Sequence, residues 1–186
     1  MVLLIMIYSR IKSAQLFKDL GIIMKKNIII KSLLRGAVTL LLAGCMFTMT
    51  ACGNGKSKEV EAYENSLLSF KESIDDIGAK IDAIDANNSD ASNELLYYVD
   101  YINKNFQALL SLQVPSGYES ITRLNEKAAD YMASASTYFH TAYEAEVFDE
   151  EAYNTANTYY LKAFEMVNYT GQVLQGVDIT FASDEN

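Results

Sequence analysis

The chain has 186 residues, with no tryptophan, one proline (Pro115), one histidine (His140), two cysteines and a formal net charge of −9. A chain this acidic is repelled by the phosphates of nucleic acid, so no nucleic-acid partner is expected. A lone histidine leaves little material for metal or acid–base chemistry.

Residues 1–23 precede a stretch that already reads as a complete export signal. Met1 to Tyr8 is apolar but far too short to span a bilayer, and Arg10, Lys12 and Lys18 follow it. This stretch is expected to be a misassigned upstream start, with Met24 as the true first residue.

From Met24 the chain opens basic, through Lys25, Lys26, Lys31 and Arg35, and then turns apolar from Gly36 to Ala51. That apolar region is about sixteen residues, close to the usual range of about 7–15 for an export signal and short of the roughly 20 needed to span a membrane. Two cysteines follow small residues and compete as the lipid acceptor: Leu42-Ala43-Gly44-Cys45 and Met49-Thr50-Ala51-Cys52. The first has the preferred leucine three residues before the cysteine. Cleavage there, however, would leave Met46-Phe47-Thr48-Met49 as an apolar start for a chain that must next enter water. Cleavage before Cys52 leaves the polar tether Gly53-Asn54-Gly55-Lys56-Ser57, and Cys52 is therefore the expected site.

Residues 24–58 resemble the signal of a bacterial lipoprotein, most like those of Gram-positive, clostridial-type species. The resemblance implies a cysteine carrying diacylglycerol and residence on the outer face of the cytoplasmic membrane, held there by the lipid anchor. The part beyond resembles small helical-bundle lipoproteins. Organised this way, the chain divides into 1–23, a signal at 24–51, the lipidated cysteine and tether at 52–57, a helical domain at 58–176 and a tail at 177–186. One cysteine then goes with the signal and the other to lipid, so neither is left for a disulfide. Seven of the fifteen cations but only one of the twenty-four acids precede Cys52, so the mature part carries 8 cations against 23 acids. On net charge alone, such a body should stand off anionic headgroups on its tether.

Beyond the tether come four amphipathic segments. Val60, Tyr63, Leu67, Phe70, Ile74, Ile77, Ile81 and Ile84 alternate spacings of three and four, the mark of one buried helix stripe. Asn87-Asn88-Ser89-Asp90 interrupts it, and Ser89 or Asp90 is suited to cap a second helix with Leu95, Val99, Ile102, Phe106 and Leu109 inward. Pro115 ends that segment, and Ser116 with Glu119 has the spacing of a capping box for a third. Its inward stripe is Ile121, Leu124, Ala128, Tyr131, Ala135, Tyr138, Ala142 and Ala145, with a second at Met132 and Phe139. Asp149, Glu150 and Glu151 begin the fourth, whose stripe is Ala152, Ala156, Tyr159, Ala163, Val167, Thr170 and Leu174, and Gly176 stops it.

Segments of about 24–30 residues would each run roughly 36–45 Å at 1.5 Å per residue. Matched lengths and short links predict an all-α fold, an antiparallel up-down-up-down four-helix bundle after a lipoprotein signal. Alanines recurring every seven places in the third and fourth helices should let those two backbones approach closely, with Tyr131, Tyr138 and Tyr159 on the flanks.

Catalytic constellations are weak. His140 lies about 180° from Tyr131 at 100° per residue, on the side expected to face solvent, and none of the inward stripes contains Asp, Glu or His. Asp85-x-Asn87-x-Ser89 has the start of a calcium loop, but Asp90 replaces its glycine and Leu96 its bidentate glutamate. No metal, cofactor or catalytic residue is therefore expected. Tyr97 and Tyr101 sit one turn apart and away from the second helix's core stripe, which suits an envelope protein or a glycan as partner. The sequence accordingly reads as a non-catalytic interaction or ligand-binding module. The alternatives are a structural spacer or accessory subunit of an envelope complex and, more distantly, a cell-wall hydrolase.

In cells fed labelled fatty acid, Cys52→Ala should abolish lipid incorporation while Cys45→Ala leaves it intact. The reverse result moves the anchor to Cys45.

Overall fold

The computed structural model describes residues 57–179. Cys45, Cys52, the signal and the tail from residue 180 lie outside the described residues, and with them the assignments made for 1–23 and 24–51. The described chain forms four α-helices: α1 (Lys58–Asp82), α2 (Ala91–Ala108), α3 (Ser120–Glu144) and α4 (Glu150–Leu174), with a 3₁₀ turn at Leu109–Ser111. They pack as an all-α four-helix bundle. No described helix is long and apolar enough to cross a membrane.

Each helix end has a local cause. Ser57 Oγ accepts from Val60 N at 3.3 Å and so caps α1. Asp149 caps α4, its Oδ1 accepting from Glu151 N and Ala152 N, both at 3.0 Å. α4 closes on Gly176 at φ +84°, with Gly176 N donating to Val173 O and Val177 N to Gln172 O, the paired bonds of a Schellman motif.

Two expected caps form differently. Asp90 precedes α2, but at φ −95° and ψ 1° its side chain is not presented to the first-turn amides, and Oδ1 accepts from Asn93 Nδ2 instead. Ser116 and Glu119 form no capping box. Gly117 turns the chain at φ +86°, Ser116 N donates to Glu59 Oε2 of α1 at 3.1 Å, and Glu119 Oε1 accepts from Gly117 N. α3 begins only at Ser120, with Glu119 itself at the N-cap, so Ser116 does not stand where a capping box needs it. Hydrogen bonding to backbone amides holds the Glu119 carboxyl below its ordinary pKa.

α2 is 18 residues against 25 for each of the others, shorter than the spacing predicted. The 3₁₀ turn and the segment leading to Pro115 make up the missing length.

The core follows the predicted stripes of α1 and α2, with Ile81 and Ile84 only partly buried at the end of the first. Its centre is aromatic: Phe106 of α2 meets Phe70 of α1 edge-on at 5.1 Å and Phe164 of α4 at 5.0 Å. α3 and α4 make the most intimate pair. Ala128, Ala135 and Ala142 face Ala156 and Ala163 with at most 1% exposure anywhere along the seam.

That closeness corrects the predicted third stripe. Its buried face centres on Met132 and Phe139, while Tyr131 is half-buried and Tyr138 is 38% exposed. Alanines occupy the closest part of the seam, and both tyrosines lie at its rim. Ala145, also expected inside, is exposed because α3 has already ended at Glu144.

Ala135→Leu should force extra methylenes into the seam and cost about 1–3 kcal/mol. Asn154→Ala, on the exposed side of α4, should stay within about 0.5 kcal/mol of the parent. Equal denaturant midpoints for the two variants would contradict the close seam.

Candidate functional site

α2 carries the features that packing does not use. Its core stripe, Leu95, Val99, Ile102 and Phe106, is buried, and helical phase turns Tyr97 and Tyr101 outward. Tyr97 is 64% exposed and Tyr101 43%. Behind Tyr97, the half-buried Tyr98 packs edge-on with ring centroids 5.3 Å apart, which backs the exposed ring with one held against the core. Lys80 of α1, bonded to Asp76 Oδ2 at 2.6 Å, lies within electrostatic reach of Tyr98 and Tyr101. The patch thus offers flat apolar faces, hydroxyl rims and an adjacent cation.

The opposite flank of α2 joins α3 through polar contacts that no local pattern in the sequence announces. Asp100 Oδ1 accepts from Ser136 Oγ at 2.8 Å and lies 3.1 Å from His140 Nε2. His140 Nδ1 lies 2.7 Å from Glu144 Oε1. His140 is therefore not directed into open solvent. Its side chain is 33% exposed, wedged between a carboxylate of α2 and one of its own helix. The 180° phase from Tyr131 is sound, but that side of α3 is where α2 packs.

Two acceptors facing both ring nitrogens are satisfied together only by the imidazolium, which donates from each. Partial burial works against the cation, but the hydrogen bonds to Glu144 and Asp100 and the charge of both carboxylates outweigh it and hold the pKa above the ordinary histidine value. A serine, a histidine and an aspartate meet here, yet the buried Ser136 hydroxyl donates to the carboxylate. The wiring is that of a clamp between helices rather than of a base and its nucleophile.

A second polar tie sits deeper. Asn125 is only 4% exposed. Its Nδ2 donates to Tyr63 Oη of α1 at 2.9 Å and to Leu109 O at the end of α2 at 3.1 Å, joining three helices. Burial pushes the Tyr63 phenol up, opposed by the bond to Asn125. Asn125 stands four residues after Ile121 and three before Ala128, so the helical period could have marked it as inward. Gln107 Nε2 adds a third tie to Ala129 O at 3.1 Å.

On the far side, Tyr138 and Tyr159 stack at 5.7 Å and 9°, Tyr131 lies 6.1 Å from Tyr159, and Lys162 Nζ stands 5.5 Å from the Tyr131 centroid. One face of the Tyr138 ring is covered by Tyr159, and the residue keeps 38% exposure. Where α2 stops short, two shallow grooves of about 330 and 210 Å³ flank Leu109 and Leu112. The Asp85–Asp90 link is occupied with its own turn: Asp85 Oδ1 accepts from Asn87 N and Asn88 Oδ1 from Asp90 N. Among the described residues, no group of three or more His, Cys, Asp or Glu is arranged to hold a metal ion.

Compared with protein-family models, with curated proteins and with solved structures, the chain matches none.

The clamp has a defined pH signature. The folded pKa of His140 exceeds the unfolded value of about 6.5, so its contribution is complete below that pH and is lost as pH rises through the folded pKa. Solvent screening of partly exposed partners keeps the effect below about 1 kcal/mol. The denaturant midpoint of the wild type should therefore fall between neutral and mildly alkaline pH. His140→Ala, which removes the only histidine, should flatten that dependence. A wild-type midpoint indifferent to pH in this window would show that the clamp carries no charge.

Proposed function

We propose that this protein is a lipid-anchored, extracytoplasmic helical bundle that acts without catalysis, as an interaction or ligand-binding module at the cell envelope. The observation that carries the reading is the exposure of Tyr97 and Tyr101, side by side on a helix whose other faces are committed to the core and to the α2–α3 clamp. Large aromatic rings exposed in pairs are what protein partners and sugar rings bury against. The lipoprotein-like segment ending at Cys52 supports the location. Diacylation there would place α1 only a short tether away from the bilayer, on the outer side of the cytoplasmic membrane. Asp100, Ser136 and His140 are wired to join α2 to α3, which favours binding over chemistry.

The double variant Tyr97→Ser/Tyr101→Ser should stay within about 0.5 kcal/mol of wild type in stability, as surface changes do. It should lose retention on purified cell-wall glycan or crosslinking to an envelope protein in intact cells. Retention and crosslinking both unchanged would remove the module reading and leave a spacer or accessory subunit.

A further inference from the structure

The acidic net charge of this bundle conceals a strong polarity along its axis. The antiparallel topology brings the start of α1, the end of α2, the start of α3 and the end of α4 to one end. Two segments there, 105–118 and 166–177, contain no Asp, Glu, Lys or Arg at all. At the opposite end the segments 81–95 and 141–155 carry nine acids and no Lys or Arg. Charges that do occur near the first end, on the opening turns of α1 and α3 and at Asp178, come in both signs, with Lys58, Arg123 and Lys127 among the acids.

The uncharged end is also apolar at its surface. Leu110 is 50% exposed and Val177 46%, and Leu112 and Val114 are only partly covered. Leu110, Leu112 and Val114 line the larger groove. This surface is fixed in place relative to the tether, because Ser116 N donates to Glu59 Oε2 in the first turn of α1. The loop bearing the exposed leucine is thereby held beside the point where the chain arrives from Cys52. Ser57 stands five positions after Cys52, a length of chain that at full extension spans at most about 18 Å.

We infer that this end of the bundle, led by Leu110 and Val177, is a bilayer-apposed face that rests on the headgroup region of the membrane holding the anchor, with the nine-acid end directed outward. The inference rests on Cys52 being the anchor. Charge distribution selects the occupant. An anionic lipid surface repels the nine-acid end more strongly than the end whose charges come in both signs, so one short tether and one field gradient orient the molecule together. Exposed aliphatic side chains at that end gain by entering the interface, while the mixed charges around them remain in the headgroup layer. Net charge argues for stand-off, but the charge that repels sits at the far end. Tyr97 and Tyr101, near the α1–α2 link, then stand away from the membrane, where an envelope partner can reach them.

The chain lacks tryptophan, so a single introduced tryptophan reports its own surroundings. Leu110→Trp, Val177→Trp and, at the acidic end, Val147→Trp (65% exposed in the parent) each replace an exposed side chain. Full-length lipidated protein would be reconstituted into vesicles of phosphatidylcholine with brominated acyl chains and anionic phosphatidylglycerol, and flotation and fluorescence recorded together. Leu110→Trp and Val177→Trp should shift to shorter wavelength and be quenched by the brominated lipid, whereas Val147→Trp should emit as in water. Flotation with none of the three quenched would overturn the apposed face and leave the anchor standing. Quenching of Val147→Trp alone would invert the orientation and overturn it too. A blue shift of Leu110→Trp that grows with protein concentration in the absence of vesicles would assign the surface to a second copy instead. Failure to float at all would overturn the anchor and, with it, the apposition.

Discussion

The alanine seam between α3 and α4 is the constraint on which the rest of the bundle depends. With Ala128, Ala135 and Ala142 on α3 and Ala156 and Ala163 on α4 all buried, small side chains let these two backbones pack more closely than any other pair. The aromatic rings those helices carry must then leave the seam. Phe139, Tyr153 and Tyr160 cluster on the inner side, with centroids of about 6 Å separating Phe139 from each tyrosine. Tyr138 stacks on Tyr159 on the outer one, with Tyr131 tilted against Tyr159 beside them. Burial pushes the phenol of Tyr160 well above its ordinary pKa, so it remains a neutral core group. The seam thus determines which tyrosines are structural and leaves α2 as the helix with rings to spare.

The other two helices attach by a different kind of packing. α1 and α2 present large side chains, and Phe106 fills the space between Phe70 and Phe164 that small residues occupy elsewhere. Apolar packing of this kind is strong but tolerant of sliding. The polar ties add register. Asn125 can satisfy its amide only when Tyr63 and the Leu109 carbonyl are both in place. Asp100 meets Ser136 and His140 only at one offset of α2 along α3. The Asn125 amide, buried without its partners, would cost about 1–3 kcal/mol, so a slipped arrangement is penalised most at that tie.

The short α2 shapes both surfaces that bear on function. It stops at Ala108, and the uncharged turn that replaces its last two turns supplies both the exposed Leu110 and the grooves beside it. Its solvent side supplies Tyr97 and Tyr101. The proposed partner surface and the proposed membrane face therefore belong to the same helix and its extension, separated along the bundle axis.

Four helices, their order and most of the core were legible in the sequence, because apolar spacing of three and four is a local property that burial on one face imposes wherever a helix lies on a core. The acidic start of α4 at Asp149 and the stop at Gly176 were legible for the same reason, since both act within a few residues. What only the tertiary structure decided involves residues distant in the chain. Ser116 has the spacing of a cap but gives its amide to Glu59 across the bundle. His140 lies on the side of α3 that its phase indicates, yet nothing local says that α2 covers that side and brings Asp100 to it. Tyr131 and Tyr138 carry the same periodicity as the alanines beside them, and only the distance between two helices sends one set inward and the other out. Periodicity specifies a face, and the neighbour that meets that face specifies what its side chains do.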